Sequence, residues 1–271
     1  MHIKVGYELE FECPQPTPML LMLNLHYSRA ADIVVPDHVA IVPQVPIAAY
    51  RDGFGNWVTR IVAPPGVTRI STTAVVRDNG LPDAVVADAR QHLVQDLPED
   101  ALVFLLASRY CETELLTEIA WRMFASVPSG WPRVQAICDF VNQHIRFDYM
   151  QARATRTAWE AYNERLGVCR DYAHLAITFC RCMNIPARYC TGYLGDIGVS
   201  PPYGVMDFAG WFEAYLGDQW HIFDPRNNVP RIGRLLLARG RDAVDVAIST
   251  TFGMNILRSF RVWTDEVALQ G

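Results

Sequence analysis

LGVCRDYAHLAITFCR, residues 166–181, decides how the rest of this chain is read. From Tyr172 through Ala176, Phe179 and Cys180 to Met183, apolar residues recur at intervals of three and four, the helical period. Gly167 and Val168 lead into that run, so the spacing predicts Cys169 at a helix start. There the unpaired backbone N–H groups and the positive end of the helix dipole favour a thiolate over a thiol, and they can hold an oxyanion formed beside the sulfur. Alone, the signal is weak, because most cysteines of an intracellular chain are small buried apolar residues.

The next informative stretch downstream is MDFAGWFEAYLGDQWHIFDPRNN, residues 206–228. Phe208, Phe212, Ala214 and Leu216 alternate with Asp207, Ala209, Trp211, Glu213 and Tyr215. Gly217-Asp218 then reads as a turn, and Gln219 to Phe223 as a second strand ending at Asp224-Pro225. On the residues GVCRDYAHL at the helix start and WHIFDPR at the strand end, the chain resembles the transglutaminase-like superfamily, whose fold is related to papain. The resemblance spans roughly residues 105–240. The family's middle element, a strand beginning His-Ala-Trp, is not matched: with Trp211 and Asp224 aligned, the catalytic histidine falls on Ala209 and its neighbour on Gly210. Position 209 keeps the family's spacing, forty residues after Cys169 and fifteen before Asp224. The resemblance implies Cys169 as nucleophile and Asp224 as the orienting acid, with no histidine to carry over.

Outward from this centre, ARYCTGYL after Ile185-Pro186 reads as a buried strand. Thr113–Ala125 reads as a helix ended by Val127-Pro128-Ser129-Gly130, and a second helix opens at Pro132 with Val134, Ile137, Cys138, Val141 and Ile145 on one face. Ala158–Leu166 leads into the Cys169 helix. Residues 195–205 form a Gly/Pro-rich loop, a connector or the rim of a site. From residue 1 to about 95 short alternating runs dominate, broken by Pro-Pro-Gly, and predict a small antiparallel sandwich that collects no His, Cys or acidic cluster. AISTTFG and ILRSFRVWTDEV suggest two closing strands. The expected class is α+β: an N-terminal antiparallel β-sandwich-like domain over 1–97, then a transglutaminase-like core with the closing strands over 98–271.

With 271 residues, 51 % hydrophobic and 20 % charged, the chain can bury a core. Its net charge of −5 and lack of a clustered Lys/Arg run speak against a nucleic-acid or anionic-membrane partner. The start, MHIKVGYELEFEC, has no basic segment followed by an apolar one, and no run approaches the roughly 20 apolar residues of a membrane span. The expected location is the cytoplasm, which an odd count of seven scattered cysteines suits better than a disulfide framework. The oligomeric state, homo-oligomer included, stays open.

A thiol nucleophile needs a base within hydrogen-bond reach, which Ala209 cannot supply. His221 lies three residues before Asp224 and so faces the opposite side of its strand. His174 is about 140° round the helix from Cys169, better placed as a structural donor. Asp207, two residues before Ala209 and on its face, is the nearest substitute, unless it is a solvated loop acid. Arg226 and Asn227 could also enter the site. No metal or other cofactor is expected: Cys180 and Cys182 are two apart on a helix and diverge by about 200°. Two functions stay open: a cysteine-nucleophile amide hydrolase or acyl transferase working through a Cys169 thioester with an altered or missing histidine base, or an inactive homologue that binds a peptide or small amide or assembles with a partner.

Overall fold

The computed structural model describes residues 1–268 apart from 202, 203 and 205. In chain order the elements that build the molecule are β1 (His2–Cys13), β2 (Thr17–Leu21), β3 (Trp57–Ala63) and β4 (Gly66–Arg77), then the helices α1 (Thr113–Phe124), α2 (Trp131–His144), α3 (Ala158–Glu164) and α4 (Cys169–Cys182). They are followed by β5 (Ala187–Tyr193), β6 (Ala209–Leu216), β7 (Gln219–Phe223), β8 (Leu235–Gly240), β9 (Ser249–Thr251) and β10 (Ile256–Val267). The class is α+β, with two N-terminal antiparallel sheets and a helix-on-sheet core.

Strict alternation makes the first sheet one-sided. Ile3, Val5, Tyr7, Leu9, Phe11 and Cys13 of β1 all point inward, and each large one contributes about 1.5–3 kcal/mol by leaving water. Their partners across the interior include Met19 and Leu21 of β2 and Ile61 of β3. β1 pairs with β4 on one side and with β10 on the other, and β9 pairs with β2. The two closing strands therefore complete the N-terminal sheets, where the sequence suggested that they closed the core. The buried side chains of that sandwich run on into Tyr193, Leu235 and Leu237 of the core sheet, while a separate apolar cluster packs the helices against Phe212, Ala214 and Ala238 of the same sheet.

The core sheet has the order β7-β6-β5-β8, all antiparallel. Gly217 and Asp218 both have positive φ, 54° and 65°, which is the two-residue turn whose twist suits a hairpin. All seven residues of β5 are buried. Helix α4 lies between this sheet and α1, α2 and α3, and twelve of its residues, Asp171 to Cys182, are buried. The period predicted one apolar face; the helix is central and enclosed all round. Its polar residues are tolerated because they are bonded: Arg181 donates to the carbonyls of Ala187 and Leu106, and the Thr178 hydroxyl to the carbonyl of His174.

Candidate active site

Asp171 explains why the chain turns into α4 where it does. Its Oδ2 accepts the Val168 N–H at 2.9 Å and one arm of Arg156 at 3.1 Å, and its Oδ1 accepts Arg170 at 3.1 Å. One orphan donor of the helix start is thereby satisfied and the acidic charge sits against the positive dipole end. Gly167 is required for this: a Cβ there would lie 2.7 Å from Asp171 Cβ. The GVCRD sequence is thus a helix start held by its own fifth residue. A short parallel pairing of Arg146–Phe147 with Leu166–Gly167 brings Phe147 and Tyr149 beside it.

Cys169 opens into a cavity of 260 Å³ walled by Phe147, Tyr149, Asp207, Ala209, Arg226 and Asn227, among others. The backbone N–H groups of Gly210 and Arg170 lie beside its sulfur and favour the thiolate. The other six cysteines are buried and none is bridged. Although the residue is partly open, its sulfur sits among packed atoms. Desolvation pushes the thiol up to about 11, Asp207 and Asp224 push it the same way, and the two N–H groups offset only part. The thiolate expected at the helix start is therefore a thiol at neutral pH. Burial can move a pKa by several units, whereas a helix end contributes about 0.3–1 kcal/mol, under one unit.

Asp207 and Asp224 both reach the site. Asp207 accepts a hydrogen bond from the Tyr149 hydroxyl and one from the Phe208 N–H at 2.6 Å; desolvation still raises its pKa. Tyr149 is itself pushed up by burial and by Asp207, so it stays a donor. Asp224 accepts the backbone N–H groups of Arg226 and Asn227 through Oδ1, and through Oδ2 the Asn227 carboxamide at 2.7 Å and Arg234 at 3.0 Å. Arg234 lies between Asp224 and Asp83 and stacks 4.7 Å over Trp211. Sequence reasoning missed Arg234, Asp83 and Tyr149, which no local spacing connects to the cysteine.

Neither candidate histidine joins them. His174 is fully buried, stacked 5.0 Å from Tyr110, and its Nε2 accepts the Ala243 N–H. Burial, with Arg170 and Arg181 nearby, drives its pKa well below the usual imidazole value, and it is an acceptor where a donor was expected. His221 bonds the Leu216 carbonyl at 3.1 Å and lines a separate surface cavity with His92 and Asp218. Neither is in position to act as a base for Cys169, contrary to the sequence expectation that named them as candidates. Ala209 does line the cavity, opposite Gly192 on β5. The next residue, Gly210, has no room for a side chain, because a Cβ would collide with the Tyr189 hydroxyl.

Cys169 thus lies at the start of a buried helix that packs on an antiparallel hairpin ending in a fixed aspartate. The model of the transglutaminase-like superfamily matches residues 118–225, a span that includes Cys169 and Asp224. Uncharacterized protein ML0607 of Mycobacterium leprae is 37 % identical over 228 residues, covering 81 % of each chain. Uncharacterized protein Rv2569c of Mycobacterium tuberculosis is 30 % identical over 131 residues, 42 % of this chain and 40 % of that protein. A solved structure from Cytophaga hutchinsonii, described as a "putative cysteine protease", superposes with a TM-score of 0.84 at 28 % identity, over 100 % of this chain and 92 % of that one. The chain belongs to the transglutaminase-like superfamily. No helix among the described residues is long and apolar enough to cross a membrane.

Proposed function

We propose that this protein is a cysteine-nucleophile amide hydrolase or acyl transferase in which Asp207 replaces the family histidine as base. The observation that carries the reading is the grouping around one cavity of Cys169, with the Gly210 and Arg170 N–H groups beside it, and Asp207, whose pKa burial raises. In the first step the Cys169 proton passes to the Asp207 carboxylate as sulfur attacks the amide carbon. The C–N bond then breaks, the leaving amine takes that proton, and a thioester remains for water or a second amine to open. Gly210 and Arg170 N–H groups are the donors for the developing oxyanion. The substrate is a peptide or small amide, and the seven unbridged cysteines support a reducing, cytoplasmic location.

A second reading, an inactive homologue that binds such an amide, is favoured by two observations: no imidazole borders the cavity among the described residues, and the thiol stands near 11. The test is amine or ammonia release from a panel of peptide amides by wild type, Cys169→Ala and Asp207→Asn. Slow wild-type turnover is expected, abolished in Cys169→Ala and lowered about 10²-fold in Asp207→Asn, the lower end for a positioned base. Wild type and Cys169→Ala equally inert across the panel would leave the binding reading.

A further inference from the structure

The cavity around Cys169 holds charges that are paired to different degrees. Arg231 spans Asn227 Oδ1 at 3.0 Å, the Gly195 carbonyl at 2.8 Å and Asp196 at 3.7 Å. Asp224 is taken up by Arg234, and Arg234 by Asp83 as well. Arg226 differs. No carboxylate lies within 4 Å of its guanidinium among the described residues. Its Nη1 donates 2.7 Å to the neutral oxygen of Asn227, and its plane lies 4.5 Å over the Phe147 ring. This exposed side chain thus lies along the cavity over Phe147 with its charge unpaired among the described residues. The Nε of the nine-tenths-buried Arg231 also lacks a partner among the described residues. The same cavity is lined by Asp207, held by Tyr149, and by Asp196, which pairs with Arg231.

We propose that Arg226, seconded by Arg231, anchors a carboxylate on the acyl side of the substrate, so that the site selects anionic acyl donors over neutral ones. Three features of the site combine to that end. A guanidinium fork matches a carboxylate with two donors, and Arg226 has one arm fixed and the others available. The aromatic ring beneath it removes water from one face and pre-orders the group, which lowers the loss of side-chain freedom on binding. Asn227 ties the anchor to Asp224 through its carboxamide, so the anchor's position is set by the same strand end that shapes the cysteine site. Asp207, which lines the same cavity, is left to handle the proton.

The inference rests on the reading of Cys169 as the site's nucleophile, and the two can fail separately. The probes are matched alkylating pairs of different reach, iodoacetate with iodoacetamide and 3-bromopropionate with 3-bromopropionamide, each followed at Cys169 by mass spectrometry. Glutathione supplies the charge preference of an unstructured thiol. For at least one pair, the anion-to-neutral rate ratio at Cys169 should stand about tenfold above that of glutathione, the size of effect one partly screened charge gives at close range. It should shrink as salt rises. Arg226→Gln should return it to within about twofold of the glutathione value while the neutral reagents react as before, since a damaged fold would alter both members of a pair alike. Ratios equal to those of glutathione for both pairs, or ratios that survive Arg226→Gln, overturn the anion anchor. A Cys169 inert to all four reagents overturns the nucleophile reading, and with it this inference.

Discussion

Ala209→His should accelerate alkylation of Cys169 at pH 7 by about 10²-fold and add an inflection near the ordinary imidazole pKa, ~6.5. Ala209 begins β6, opposite Gly192, and already borders the cavity into which Cys169 opens. An imidazole there would meet a sulfur that now keeps its proton up to about 11, and could draw that proton off at neutral pH. The gain should sit at the low end of the ~10²–10⁴ range for a positioned base, for a specific reason. The four hydrogen bonds that Asp224 accepts leave it no evident lone pair for the second ring nitrogen. Removing the Asn227 carboxamide frees Oδ2, so Ala209→His with Asn227→Ala should exceed the single variant by a further tenfold or so. Rates measured from pH 5 to 9 decide it. Neither variant faster than wild type, with no new inflection, would mean that residue 209 does not address the sulfur.

Asp224→Ala should lower stability by about 3–5 kcal/mol, the cost of leaving a buried cation without its partner. Arg234 has a side chain only 3 % exposed and its Nη1 is already without a partner among the described residues, so loss of Asp224 leaves it on Asp83 alone. The Asn227 carboxamide and two backbone N–H groups lose their acceptor at the same time. For a chain of this size that corresponds to a fall of roughly 10 °C in Tm by scanning calorimetry. Asp224→Asn, which keeps the shape and one acceptor, should fall by less. A change below about 2 °C in Asp224→Ala would show that water replaces the carboxylate freely and that the strand end is not a fixed frame.

The parts of this molecule written in local patterns were readable from its sequence. GVCRD announces a helix start because Gly167 and Asp171 are four apart and make one turn together. The alternation of β6, the Gly217-Asp218 turn and the apolar run of β5 foretold three of the four core strands. What escaped was set by contacts between distant residues. β10 joins β1 across more than two hundred positions, so its alternation revealed a strand without saying which sheet it completes. The Asp83–Arg234–Asp224 chain and the Tyr149–Asp207 bond likewise link segments far apart in sequence. The sign of the Cys169 shift escaped for an energetic reason: the helix start is visible in sequence, but the packing that desolvates the sulfur and the two carboxylates beside it are not.

On the proposed reading, Cys169 is the nucleophile of a site with no imidazole among the described residues lining its cavity, its sulfur a thiol kept by burial. The pH dependence of alkylation, mapped cysteine by cysteine in the wild-type protein with iodoacetamide, tests this most directly. Cys169 should label first of the seven, because it is the one that is not buried, and its rate should climb about tenfold per pH unit from 6 to 10 without levelling, as a thiol near 11 requires. A rate that levels off above pH ~6.5, or first labelling at Cys111 or Cys190, would contradict it: the former would reveal an imidazole partner, the latter a sulfur closed to the cavity.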